Sequence, residues 1–178
     1  TGSGAEYFSM GILNPAIRSQ YTKDDIVSIV RLANRSFDAI EALPQIVIAA
    51  INGKLLAGGV ELALACDIRY AAAHATMTVP EATWGGFPGA GAPVRLPMVV
   101  GRARALEIIC TGRTLDTTEM EKLDIVQGVY PREVFMDSAI ASARKMAMSG
   151  PLALRGAKRI VTARQEPGFK AARELSDA

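Results

Sequence analysis

Ile46-Val47-Ile48-Ala49-Ala50-Ile51-Asn52-Gly53-Lys54-Leu55-Leu56-Ala57-Gly58-Gly59-Val60-Glu61-Leu62-Ala63-Leu64-Ala65-Cys66-Asp67-Ile68-Arg69-Tyr70 is the stretch whose character decides the fold class. Ile46 to Ile51 is apolar and rich in β-branched residues without polar alternation, the pattern of a strand buried on both faces. Asn52-Gly53 supplies turn chemistry to end it. Gly58-Gly59 then leads into Val60 to Cys66, a run of good helix formers, and Asp67 opens a second β-type run, Ile68-Arg69-Tyr70. Strand, glycine turn, helix, strand is the implied order. It predicts an α/β architecture in which helices pack on sheets.

Upstream, Thr22 is placed as an N-cap with Asp25 in the acidic position of a capping box. Ile26, Ile29, Val30, Ala33, Phe37 and Ile40 recur at helical spacing after it, and Leu43-Pro44 stops the pattern. Downstream, Thr76 to Val79 reads as a short strand, and the glycine- and proline-dense Pro80 to Gly91 as irregular chain. Helices are expected over Arg102 to Ile108, from Asp116 or Thr117, and from about Glu133 and Pro151, with a strand near Val126 to Tyr130.

With 178 residues, 49% of them hydrophobic, the chain has the size of one globular domain, able to bury roughly 70% of its unfolded surface. Lysine and arginine number 20 against 18 aspartates and glutamates, so the charge balance gives no reason to expect a nucleic-acid partner. No apolar run reaches the roughly 18 residues of a membrane span. Cys66 and Cys110 lie in apolar, helix-like surroundings without metal-ligand spacing, which predicts buried, reduced thiols in a reducing, cytoplasmic compartment and no metal site.

Chemistry is sought where backbone donors and carboxylates converge. Gly58 stands at a helix start, where amides lack intrahelical partners, and its missing side chain lets a carbonyl approach the main chain. The same glycine pair is also explained as a simple turn into the helix. Glu61, near the first helical turn, and Glu81, after Pro80, would singly pass as a dipole-favoured and a solvated carboxylate. Together they would form an acid/base pair around one water. His74, the only histidine, has no nucleophile motif beside it and reads as a surface residue. Trp84 and Phe87 read either as walls of an acyl pocket or as core plugs. Neither a GxGxxG turn after a strand nor a Walker A sequence occurs.

The run Ile48 to Asp67 resembles the signature segment of the enoyl-CoA hydratase/isomerase (crotonase) superfamily. Val79-Pro80-Glu81, Phe87-Pro88-Gly89-Ala90-Gly91, Arg95-Leu96-Pro97, Gly101-Arg102-Ala103-Arg104-Ala105 and Thr111-Gly112-Arg113 resemble, in order, the blocks that follow it in that family. The resemblance implies a spiral of ββα units over residues 1–130 and a C-terminal helical region over 131–178, with further strands before Thr1 and helices after Ala178. It also implies a thioester of coenzyme A as substrate, no separate cofactor, and assembly as trimers or pairs of trimers.

By the same resemblance the amides of Gly58 and Ile12 would bind the thioester oxygen, Glu61 would activate the attacking water and Glu81 would protonate the α-carbon. Met10, Gly11, Leu13, Ala57, Gly59, Trp84, Phe87, Pro88 and Gly89 are the expected substrate-binding positions. Three places depart from the family pattern: Ile12-Leu13-Asn14 where a small residue and an aspartate are usual, Ala92-Pro93-Val94 for a glycine and polar pair, and the bulkier Lys54-Leu55-Leu56. Reversible hydration of an α,β-unsaturated acyl-CoA is the leading expectation. Enoyl-CoA isomerisation or another reaction through a CoA enolate, and a noncatalytic acyl-CoA- or RNA-binding role, stay open beside it.

Overall fold

The computed structural model describes residues 1–177, with the backbone alone over 164–173 and 175–177. Ala178, the last residue of the expected helical region, lies outside the described residues. The chain opens with strand β1 (Tyr7–Ser9) and a single helical turn, α1 (Pro15–Arg18). Asn14 caps that turn by accepting from the Ile17 amide at 3.0 Å, and Pro15 fills the first helical position, where its missing N–H costs nothing. Helix α2 (Lys23–Glu41) begins with the expected capping box: Thr22 Oγ1 accepts from the Asp25 amide, and the Asp25 carboxylate accepts from the Thr22 amide. Its predicted apolar stripe turns inward, with Ala33 and Phe37 buried.

The decisive stretch folds as β2 (Ile48–Ile51), β3 (Lys54–Leu56), helix α3 (Gly58–Leu64) and β4 (Ile68–Ala72). Strand β5 (Thr76–Thr78) follows, then a 3-10 turn over Glu81–Trp84 and helices α4 (Ala92–Val100) and α5 (Arg102–Thr111). The remainder is β6 (Thr114–Asp116), α6 (Thr117–Lys122), β7 (Val129–Tyr130), α7 (Phe135–Ala147) and α8 (Pro151–Asp177).

Apart from β5 and β6, which pair antiparallel, consecutive strands do not pair with each other. β2, β4 and β7 lie in that order in one sheet, whereas β1, β3, β5 and β6 lie in that order in a second. Asn52-Gly53 is therefore a corner between sheets and not a hairpin turn. A Cβ on Gly53 would lie 2.3 Å from the carbonyl oxygen of Glu6, so only glycine permits the close approach that lets Lys54 N donate to that oxygen at 2.8 Å. Residues 73–75 make the same passage from β4 to β5. The chain thus winds strand, strand, helix twice over, with parallel pairing of β2 to β4 and of β3 to β5. Ile51, Leu55, Val60, Met77, Leu96, Ile108 and Leu115 form the core between these turns.

Several elements differ from the sequence expectations. Strands β1, β3 and β6 carry three residues each, too short to show a period, and owe their state to pairing with distant segments. Helix α4 hides behind Pro93 and Pro97, with a glycine on either side, a composition that reads as loop. The strand expected over Val126 to Tyr130 contracts to Val129–Tyr130. Cys66 is buried as expected, but Cys110 is exposed because it lies on the outer face of α5, away from the buried Ala105 and Ile108.

Candidate active site

Helix α3 starts under constraint. Ala57, the residue that precedes it, has φ 50° and ψ −126°, a backbone region that alanine rarely occupies. Its amide donates to the Thr78 carbonyl on β5 at 3.1 Å, and its side chain is buried against Gly11. The surrounding packing thereby imposes a conformation that turns the chain sharply from β3 into α3. Gly58, as the first helical residue, has no acceptor for its amide within the helix.

The segment after β1 runs beside this corner. Gly11 has φ +85°, and a Cβ there would come within 2.7 Å of the Ala57 Cβ and 3.0 Å of the Gly58 nitrogen. A Cβ on Gly58 would in turn lie 3.3 Å from the Ile12 nitrogen. The two expected oxyanion donors, Gly58 and Ile12, are thus neighbours, brought together from positions 46 apart in the chain by the parallel pairing of β1 with β3. Gly59 allows α3 to press against β1, since a Cβ there would meet Ser9 Cβ at 2.7 Å.

A small pocket of about 60 Å³, room for a few water-sized groups, opens at this corner. Gly58, Ala57, Ile12, Leu13, Phe87 and Gly89 border it, and so do both carboxylates, Glu61 and Glu81. Glu61 projects from the first turn of α3 and is only 3% exposed. Its Oε1 accepts from the Ala92 amide at 3.0 Å. Burial pushes its carboxyl above the ordinary range, opposed by the amides of Ala92, Ala90 and Gly91 and by the Arg95 guanidinium. Glu81 opens the 3-10 turn, and its Oε2 is buried with no hydrogen-bond partner among the described residues. Burial, with the Glu61 charge adding to it, pushes Glu81 up to about 7 against a bond from its own backbone amide. Both carboxyls are thus raised, each chiefly by burial, while the amides and Arg95 around Glu61 favour its ionised form.

Not every expected position reaches this pocket. Met10 is 52% exposed, and Met10, Gly11, Gly59 and Pro88 do not border it; Gly11 and Gly59 instead shape the corner from behind. Trp84 borders a wider adjoining groove, and Phe87, 58% exposed, borders both cavities, so neither aromatic is a core plug. His74 is exposed, with Nε2 3.2 Å from the Ala5 carbonyl oxygen. Among the described residues no group of His, Cys, Asp and Glu is arranged to hold a metal ion, and no helix is long and apolar enough to cross a membrane.

Sequence reasoning missed two supports of the site. Asn34, buried on α2, donates from Nδ2 to the Gly89 carbonyl at 2.9 Å and so holds the chain immediately before the amides that face Glu61. Its signal was present: an asparagine between Ala33 and Phe37, on the stripe that turns inward. Arg95 on α4, 3% exposed at its side chain, pairs with Asp38 at 2.6 Å and Glu41 at 2.9 Å on α2. No spacing rule links residues 54 and 57 positions apart, so this contact left no local trace.

Residues 1–177 match the family model described as enoyl-CoA hydratase/isomerase. YngF of Bacillus subtilis is 40% identical over 158 residues, covering 89% of this chain and 60% of YngF. The 2,3-dehydroadipyl-CoA hydratase of Escherichia coli is 36% identical over 74% of this chain and 52% of its own length. The chain thus spans between half and three-fifths of these curated relatives. Among solved structures, an enoyl-CoA hydratase from Bacillus anthracis superposes with TM-score 0.87 at 36% identity, covering 97% of this chain and 69% of that one. DspI of Pseudomonas aeruginosa superposes with TM-score 0.87 at 31% identity, covering 94% and 64% of the two chains. The winding of strand pairs and helices is accordingly the crotonase fold, and the chain belongs to the enoyl-CoA hydratase/isomerase family.

Proposed function

We propose that this protein adds water reversibly across the double bond of an α,β-unsaturated acyl thioester of coenzyme A. The amides of Gly58 and Ile12 receive the thioester oxygen and stabilise the negative charge that grows on it as the β-carbon is attacked; one such donor is typically worth about 3 kcal/mol. Glu61 takes a proton from the attacking water, and Glu81 gives a proton to the α-carbon of the enolate. In the reverse direction the two exchange roles. Coenzyme A is part of the substrate, so the reaction as proposed uses no resident cofactor. Assembly into trimers or pairs of trimers belongs to the same proposal.

The observation that supports this reading best is that both carboxylates border the one small pocket that Gly58 and Ile12 also border. A hydratase needs two groups there, one ionised and one protonated; the Ala92 amide and the Arg95 guanidinium favour the ionised form of Glu61, whereas Glu81 Oε2 is buried without a partner among the described residues. The test is to incubate the protein with a series of enoyl-CoA thioesters and follow loss of the conjugated-thioester absorbance, with mass analysis of the product. A gain of one water supports hydration. A product of unchanged mass with a shifted double bond makes the protein an isomerase, and binding without any turnover removes the catalytic reading.

A further inference from the structure

The catalytic pocket does not end at Glu81. It continues into an open groove of about 670 Å³, with Leu13, Val30, Glu81, Phe87 and Gly89 bordering both. Ile26, Val27 and Val30 of α2 form one apolar wall of this groove, and Trp84 and Phe87 are its aromatic side chains. Such walls suit an acyl chain.

The charges in the groove are unbalanced. Three charged side chains border it: Arg18 at the end of α1, Arg31 on α2, and Glu81 at the reacting end. Arg18 and Arg31 border the groove but not the pocket. Neither is in an ion pair among the described residues. The backbone also makes room for one of them: a Cβ on Gly86 would lie 2.9 Å from Arg18 Nη1, so the glycine leaves space for the guanidinium against the loop that follows Glu81. An apolar groove bordered outside the small pocket by two guanidinium groups is matched by an acyl chain that ends in an anion, because planar guanidinium donors bind carboxylates in paired hydrogen bonds.

We propose that this groove is the acyl subsite and that Arg18 and Arg31 bind a terminal carboxylate, making the preferred substrates CoA thioesters of unsaturated dicarboxylic acids. The proposal rests on the reading of the Glu61–Glu81 pocket as the place where the thioester reacts. It names the substrate class of that site.

Saturated thioesters separate the subsite from the chemistry, since they cannot be hydrated. Calorimetric titration with adipyl-CoA and hexanoyl-CoA, which differ by a carboxylate in place of a methyl group, gives a ratio of affinities for the protein and for its Arg18→Gln, Arg31→Gln and double variants. The ratio is expected to fall about tenfold toward hexanoyl-CoA in the double variant, the scale of a charge-assisted contact in a partly solvated groove. Equal losses for both ligands would assign the arginines to the phosphates of coenzyme A and overturn the proposal. An unaltered ratio with unaltered affinities would make them solvated surface charges and overturn it equally. A normal ratio shift in a protein that hydrates no enoyl-CoA would leave the subsite standing and remove the hydratase reading alone, whereas failure to bind either thioester would remove both.

Discussion

Glu61 and Ala92 are joined by a 3.0 Å hydrogen bond in which the first amide of α4 donates to the carboxylate on α3. That bond orients a buried acid without neutralising it. A glutamine at position 61 would keep an oxygen able to accept from Ala92 while losing the capacity to take a proton. Glu61→Gln is therefore expected to fold normally, because it also relieves the burial of a charge. Its hydration rate should fall by about 10²- to 10⁴-fold, the range of a general base. Steady-state kinetics alongside thermal unfolding measures both; full hydration rates in the variant would place the base elsewhere.

Glu81 predicts two responses to rising pH, one in rate and one in stability. As the proposed proton donor to the α-carbon it must be protonated, so hydration should decline as pH rises beyond about 7, where its carboxyl ionises. Stability responds through the same proton. The native carboxyl holds it up to about 7, whereas the unfolded chain releases it near the ordinary 4.5, so the native state binds more protons in between. Stability contributed at low pH is consequently lost as pH rises through that window, by at most about 3 kcal/mol before allowance for partial solvation. Glu81→Gln should flatten this loss and unfold at a higher temperature than the parent at pH 8 but not at pH 4. Parallel melting curves at the two pH values would expose a wrong assignment of the shift.

Gly58→Ala separates function from folding. The added Cβ would lie 3.1 Å from Cγ1 and 3.3 Å from Cδ1 of Ile12, a flexible side chain able to yield, but also 3.3 Å from the Ile12 nitrogen. Stability should change by no more than about 1 kcal/mol, the usual range where no core void or buried polar group is created. kcat/KM should fall about 10²- to 10³-fold, because a methyl group then stands beside both proposed donors to the thioester oxygen. Wild-type turnover in a folded variant would mean that the oxygen is bound elsewhere.

Local chemistry explains which parts of this molecule were readable from its sequence. The capping box at Thr22 and Asp25, the stripe through Ala33 and Phe37 and the buried run ending at Ile51 each complete their pattern within a few residues. By contrast, β1 and β3 exist through the pairing of Tyr7 with Lys54, a relationship that no window along the chain contains. The site divides in the same way. Gly58 and Glu61 belong to one helical turn and could be proposed together. Glu81 could be offered only as a possible partner of Glu61 and Phe87 only as a possible pocket wall, Ile12 entered by family resemblance alone, and all three meet Gly58 and Glu61 because one four-stranded sheet brings β1, β3 and β5 side by side.

Asn34 gives the sharpest test of how helix α2 supports the chemistry, since it touches neither the proposed reacting atoms nor the oxyanion donors. Its Nδ2 donates to the Gly89 carbonyl at 2.9 Å in a buried setting, and Gly89 leads directly into the Ala90, Gly91 and Ala92 amides that lower the Glu61 carboxyl. Asn34→Leu fills the space but leaves that carbonyl without this donor, and Asn34→Asp presents an acceptor to an acceptor. Each should cost about 1–3 kcal/mol in denaturant unfolding. If the amides then loosen around Glu61, its carboxyl rises further, and the acid limb of the hydration profile, where Glu61 must be ionised, moves to higher pH. A stability loss with an unmoved acid limb would reduce Asn34 to a packing residue. An unchanged value of both would show that α2 and the Gly89 loop hold together without it.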